Sequence, residues 1–211
     1  LIFLQPDFGT TATIAFIVFI QFLFSKTKLI YPALLSIGGW FIGRYFLESE
    51  FYRAERLRVW SEGICNQGQE LLGACFQVHQ SRIAISSGGM FGLGPGTSRA
   101  RWGSLPSAYS DFISSIIGEE YGFIGYLIFI FILSICIITF FLIAVREKNE
   151  FKKIFISGLG AWILFQSVLN LGASVYLLPI TGIVLPFVSY GGTAMVSIFV
   201  ALGIMHCRVD E

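Results

Sequence analysis

Between Ser107 and Tyr126 the sequence reads SAYSDFISSIIGEEYGFIGY, placing Asp111, Glu119 and Glu120 at the head of an apolar run. Carboxylates are costly in lipid. One at membrane depth is either a working group, able to take a proton, or one half of an ion pair with Arg. Helical spacing of about 100° per residue sets Ser114, Ser115, Gly118, Gly122 and Gly125 within roughly 60° of the Asp111 direction. That face is small throughout, and Gly118-x-x-x-Gly122 is a close-packing pattern for membrane helices. Asp111 thus tops a stripe that faces protein and opens onto a cavity or groove. The plainer alternative makes it the N-cap of the helix. Glu119 lies about 80° from Asp111 and about 12 Å deeper, and Glu120 points away. These two are expected to secure packing or to pair with Arg.

Two further stretches could line a site. SSGGMFGLGPGTS (86–98) is rich in Gly but lacks the Gly-Lys-Ser/Thr ending of a phosphate-cradling loop. Its glycines either permit close backbone approach to a ligand or another helix, or make a plain flexible loop. LLPITGIVLPFVSYGGTA (177–194) has Pro and Gly inside an apolar stretch, which implies a non-helical connection. Such backbone is tolerated at membrane depth only where it is buried in protein or lines a cavity.

The elements that must position these groups follow from composition. Of 211 residues, 55% are hydrophobic and 13% charged, with mean hydropathy +0.76, against roughly 25% charged in a soluble domain. The expected fold is an all-α polytopic membrane protein. It forms a single membrane domain over residues 1–211, with about five spans and a large extracytoplasmic loop at 48–110 that carries short helices. The candidate spans are Phe8–Phe24, Ile30–Leu47, Tyr121–Val145 (extended backwards toward Asp111), Ile154–Leu178 and Gly191–Met205. Every Lys lies at 26–28 or 148–153, and Arg146 and Arg208 share that side. By the positive-inside rule this side, with the C-terminus, is cytoplasmic. The 48–110 loop then lies outside. It carries Arg53, Arg56, Arg58, Arg82, Arg99 and Arg101 but no Lys. Forked, permanently charged donors suit a phosphate or planar anion, or simply pair with the Glu of the same loop. Cys65 and Cys75 share that loop as a disulfide or as two free thiols. No zinc ligand spacing exists, and no nucleic-acid partner is expected.

Several blocks match a known family in order: LQPDFGT (4–10), YRAERL (52–57), Gln77, QSRIAISSGGMFGLGPGTS (80–98), LPSAYSDFISSIIGEEYGFIG (105–125) and LLPITGIVLPFVSYGGTA (177–194). On these residues the chain resembles the SEDS family, the shape, elongation, division and sporulation proteins FtsW and RodA. Members have about ten spans, so the chain looks like a C-terminal half and is expected to be inactive alone. GEE leans toward the division type and LPFVSYGGTA toward the elongation type. The sequence departs from the family where Ser107, Tyr109 and Ser110 replace Glu, His and Thr, and where Cys75-Phe76-Gln77 replaces Gly-Tyr-Gln.

The resemblance implies a peptidoglycan glycosyltransferase of the bacterial cytoplasmic membrane that polymerises lipid II, an undecaprenyl-pyrophosphate-linked substrate. Its partners would be a class B penicillin-binding protein and other divisome or elongasome membrane proteins. It makes Asp111 the catalytic residue and a general base, with Arg53, Arg56, Gln77, Gln80, Ser189 and Tyr190 as substrate contacts. Gly118, Glu119, Glu120, Gly122, Pro186, Gly191 and Gly192 are structural. The sequence establishes no cofactor; a divalent cation, Mg or Mn, could assist, although no dedicated ligand set is visible. The rival readings are a lipid II flippase, which suits intramembrane carboxylates and broken helices, and a non-catalytic scaffold.

Overall fold

The computed structural model describes residues 8–28, 30–34, 38–39, 60–61, 63, 65, 74–103 and 105–206, and no strand occurs among them. In chain order the helices are α1 (Phe8–Phe24), α2 (Ala74–Ser87), α3 (Ile113–Arg146), α4 (Glu150–Ser174) and α5 (Gly192–His206), with a short 3-10 turn at Ala100–Trp102. Most of the expected second span, together with Arg53, Arg56 and Arg58, lies outside the described residues.

Helices α3 and α4 form the frame. Leu133, Ile137, Phe140 and Ala144 recur at three- and four-residue steps along α3 and pack on Ile156, Leu159 and Ile163 of α4. Gly160 brings α4 close to the Phe140 side chain. Asn149 caps α4 by accepting from the backbone N–H of Phe151 and Lys152 at 3.0 and 3.2 Å. α1 lies against α4, where Phe16 stacks on Phe165 at 4.7 Å. The opposite face of α3 is equally apolar yet exposed, with Phe131 at 66%, Ile132 at 61% and Val145 at 66%. A water-facing helix would place charge there; this one suits lipid. α3 and α4 are both long and apolar enough to cross a membrane.

α4 runs from Glu150 to Ser174 rather than from Ile154 to Leu178. Tyr176 takes a left-handed φ of 64°, and the N–H groups of Leu177 and Leu178 fold back onto Gly172 O at 2.8 and 3.1 Å. That closes the helix end.

The larger departure is in α3. The even helical face drawn through Gly122 and Gly125 is interrupted, because Gly122 has φ 68° and ψ −169° and kinks the helix. This conformation is essentially open to Gly alone. An unbroken helix would join the N–H groups of Phe123 and Ile124 to the carbonyls of Glu119 and Glu120. Instead they donate to Gly89 O and Met90 O at 2.8 and 3.2 Å. The freed carbonyls of Glu119 and Glu120 accept from the N–H groups of Leu93 and Gly94, each at 3.0 Å. All four groups orphaned by the kink are thus re-paired by one loop. The approach is so close that a Cβ on Gly92 would collide with Glu120 backbone and a Cβ on Gly122 with Gly92 N. The glycine loop is therefore a backbone splice into α3, not a plain flexible loop.

Glu119 locks the far end of the loop. Its buried carboxylate accepts from Ser98 Oγ at 2.6 Å, from the backbone N–H of Arg99 and Ala100 at 3.1 and 3.2 Å, and from Ser87 Oγ at 3.4 Å. Its partners are hydroxyls and main-chain amides, not the Arg side chain that the sequence left open. Glu120 is also buried, and its Oε1 has no hydrogen-bond partner among the described residues. Of the two readings of Cys65 and Cys75, the disulfide is formed, with Cα atoms 5.1 Å apart.

Gly122→Ala should cost at least about 1–3 kcal/mol from its backbone angles alone, before the collision with Gly92. In thermal melts of the full-length protein, an unchanged midpoint would contradict the splice. Glu119→Gln sets an NH2 against hydroxyl and amide donors and should cost on the order of 2–3 kcal/mol. Limited proteolysis should then cut faster within 88–102, and parent-like resistance would mean that the loop is held some other way.

Candidate active site around Asp111

Asp111 sits one residue before the N-cap of α3. The N-cap itself is Phe112, with no side-chain cap bond, so Asp111 does not play the capping role that was the plain alternative. Its carboxylate is half-buried and accepts no hydrogen bond from the described residues. The stripe beneath it is buried at Ser114, Ser115, Gly118 and Gly122. Across from it runs the 177–191 connection: a Cβ on Gly182, whose φ is +69°, would lie 3.8 Å from Asp111 Oδ2.

The backbone carrying Asp111 is tied down with unusual completeness. Asp111 N–H donates to Ser107 O at 3.0 Å. The three consecutive carbonyls of Tyr109, Ser110 and Asp111 accept in turn from Tyr190 N–H at 2.9 Å, from Ser189 Oγ, and from Asn170 Nδ2 at 2.8 Å. The donors come from the 177–191 connection and from α4. Ser189 also accepts from Leu185 N–H at 2.8 Å, and Asn170 also donates to Ile183 O at 2.8 Å. The connection is therefore fixed by the same side chains that fix the head of α3. Around this junction Ser107, Tyr176 and Phe187 adopt left-handed φ values of 56°, 64° and 65°. Each costs of order 1–3 kcal/mol for a non-glycine residue, and such strain tends to gather at working sites.

The other singled-out residues fall into distinct places. Ser189 is buried with its hydroxyl engaged on both sides, whereas Tyr190 is 83% exposed at the rim. Gln77 and Gln80 are half-buried on α2. Pro186 is fully buried beside Leu185, and Gly191 and Gly192 lead into α5. Tyr109, which stands where the family has His, turns its hydroxyl to Arg101 Nε at 3.2 Å rather than to Asp111. The Arg101 guanidinium lies 5.9 Å from the ring centres of Trp102 and Tyr109, within cation–π range. Below the site, Ser81 joins Ser115 Oγ and Ser174 O at 2.6 Å each and binds α2 to α3 and α4. A cleft of about 180 Å³ lies at the splice, lined by Gly89, Gly118, Gly122 and Tyr126 among others, and does not include Asp111. No group of three or more metal-ligating side chains occurs among the described residues. Asn170 was the residue that sequence reasoning passed over. The signal for it was an amide, one of two with Gln166, in the apolar run of α4.

Comparison with known proteins gives a consistent outcome. The sequence profile of the FtsW/RodA/SpoVE family, described as cell cycle protein, matches residues 1–210. Among curated relatives, the probable peptidoglycan glycosyltransferase FtsW of Bacillus subtilis (strain 168) is 37% identical over 215 residues, covering 97% of this chain and 52% of the relative. The protein of the same name from Haemophilus influenzae is 35% identical, covering 99% of this chain and 52% of its own length. The chain thus spans about half the length of these relatives. One solved chain, from work on structural coordination of polymerization and crosslinking by a peptidoglycan synthase complex, superposes with a TM-score of 0.69 at 22% identity. The match covers 96% of this chain and 55% of that one, and it speaks for the shared helical fold. With the family profile covering nearly every residue, the chain belongs to the FtsW/RodA/SpoVE family of cell cycle proteins.

Proposed function

We propose that the protein acts as an inverting peptidoglycan glycosyltransferase that polymerises lipid II, with Asp111 as general base. One observation carries the reading of the site. Asp111 has a rigidly held backbone and a carboxylate to which no described residue donates, above a buried small-residue stripe. A base needs a fixed position and a free oxygen. In the step itself, the 4-hydroxyl of an acceptor sugar attacks the anomeric carbon of the lipid-linked donor. The new glycosidic C–O bond forms as the bond to the pyrophosphate breaks, the hydroxyl proton passes to Asp111, and undecaprenyl pyrophosphate leaves. The α-linked donor gives a β linkage, so the centre inverts.

Arg53 and Arg56, outside the described residues, are the proposed partners of the departing pyrophosphate, where fixed positive charge matters most. Tyr190, Gln77 and Gln80 are proposed substrate contacts. Ser189 serves the same site through its hold on Ser110. The protein is proposed to sit in the bacterial cytoplasmic membrane with five spans in this portion, the 48–110 loop outside and the C-terminus inside. The Cys65–Cys75 disulfide agrees with an oxidising exterior. A class B penicillin-binding protein is the proposed partner, cross-linking the product.

The kink of α3 lends a lipid II flippase some support, since broken helices suit transport. Detergent-solubilised full-length protein separates the two: glycan made from lipid II without a bilayer means polymerisation, and its absence alongside transport in vesicles means flipping. Asp111→Asn should cut polymerisation at least about 100-fold, with expression and co-purification of the partner unchanged. A variant that still polymerises lipid II at the parent rate would sink the base assignment.

A further inference from the structure

We propose that Asn170 is a positioning residue for Asp111, holding the peptide that carries the base and the backbone facing it on a single rigid helix. The proposal rests on the reading of Asp111 as the base.

Asn170 is 2% exposed, in the interior of a largely apolar helix. A buried amide there is unfavourable unless its polar atoms are paired. Both hydrogens of Nδ2 are paired, each at 2.8 Å, to Asp111 O and to Ile183 O. These two acceptors also fix which way the amide points, because the flipped form would set Oδ1 against two carbonyl oxygens.

Neither acceptor has a place in a helix ladder. Asp111 O precedes the N-cap Phe112, whose own carbonyl accepts from Ser115 N–H at 2.9 Å. Ile183 O lies in the non-helical connection, one residue after Gly182, where a Cβ would lie 3.8 Å from Asp111 Oδ2. Asn170 therefore sets the distance between the carboxylate and the wall opposite it. With the Asp111 N–H held by Ser107 O, the backbone of Asp111 is anchored at both its polar groups, and only the side-chain torsions remain free. The Asn170 Oδ1 has no hydrogen-bond partner among the described residues. A buried acceptor left open is a standing cost. A side chain kept only for packing would shed that cost by becoming hydrocarbon; one kept for its two donors cannot.

Removing the amide frees the Asp111 peptide and the 181–184 segment to move independently. A displacement of about 1 Å in a reacting group can cost about 100-fold in rate. The test uses full-length protein in detergent, with lipid II as substrate. Asn170→Ala should lower kcat about 10- to 100-fold with KM within about threefold. Asn170→Ser, smaller but retaining one donor, should recover part of the loss. Ser81→Ala is the control for general loosening, since it removes buried hydrogen bonds between α2, α3 and α4 without touching Asp111. It should lower the melting temperature while keeping kcat within about threefold of the parent. If Asn170→Ala and Asn170→Ser keep kcat while Asp111→Asn loses it, the positioning role is overturned and the base reading stands. If Ser81→Ala lowers kcat as much as Asn170→Ala at an equal drop in melting temperature, Asn170 acts only through stability and the proposal fails. If Asp111→Asn keeps the parent rate, it is the base reading that has failed.

Discussion

The glycine loop and the first turns of α3 depend on the exchange of backbone hydrogen bonds at Gly122. A kink in an apolar helix exposes amides and carbonyls that water cannot reach, and each orphan would cost several kcal/mol in lipid. Here the glycine loop brings two carbonyls and two N–H groups to the orphans at distances of 2.8–3.2 Å. The exchange needs backbone against backbone, which is why Gly92 and Gly122 have no room for a Cβ. It also needs the loop to stay, and Glu119 supplies that hold with hydroxyl and amide donors around one buried carboxylate. Helix, loop and carboxylate are thus parts of one joint, and the first turns of α3, headed by Asp111, rest on it.

A second set of bonds presses on the same turns from the other side. The 177–191 connection and α4 reach the carbonyls of three successive residues, ending at Asp111. The three left-handed non-glycine residues lie in the segments that make or receive these bonds. Strain of that kind persists only where the surroundings over-determine the conformation. Here the surroundings fix the main chain, and no described residue donates to the Asp111 carboxylate, which is the division of labour that the proposed proton acceptor requires.

Much of this could be read from the sequence, and the remainder could not for identifiable reasons. The first helix falls on Phe8–Phe24 as its hydropathy dictates, and the last starts and ends within a residue of its expected limits. Length and apolar character are local signals, and they carry. The same holds for the approach of the Pro- and Gly-containing 177–194 stretch to Asp111, which both features announced by being out of place in lipid. Gly122, by contrast, read as a packing glycine in a continuous helix. Nothing local distinguishes that role from a kink, because the groups that make the kink tolerable lie about thirty residues upstream. Glu119 read as a packing or Arg-pairing carboxylate for the same reason: its partners Ser98, Arg99 and Ala100 are ordinary loop residues until folding brings them together. The end of α4 was overrun because Tyr176 stops it by adopting a backbone angle that its residue type does not advertise.

The splice also bears on how the chain is built. Residues 88–94 leave the ribosome before residues 119–124, so the loop that repairs the kink exists before the kink does. Without the loop, the upper part of α3 can pair its amides at 123 and 124 only as a straight helix, a form that would have to break when the loop docked. Its natural entry is therefore together with α2 and the loop, as one preassembled wedge. The order of the segments along the chain then favours the kinked form from the start, and a circular permutation that moved the loop behind α3 would leave a newly made helix straight until the loop arrived to bend it.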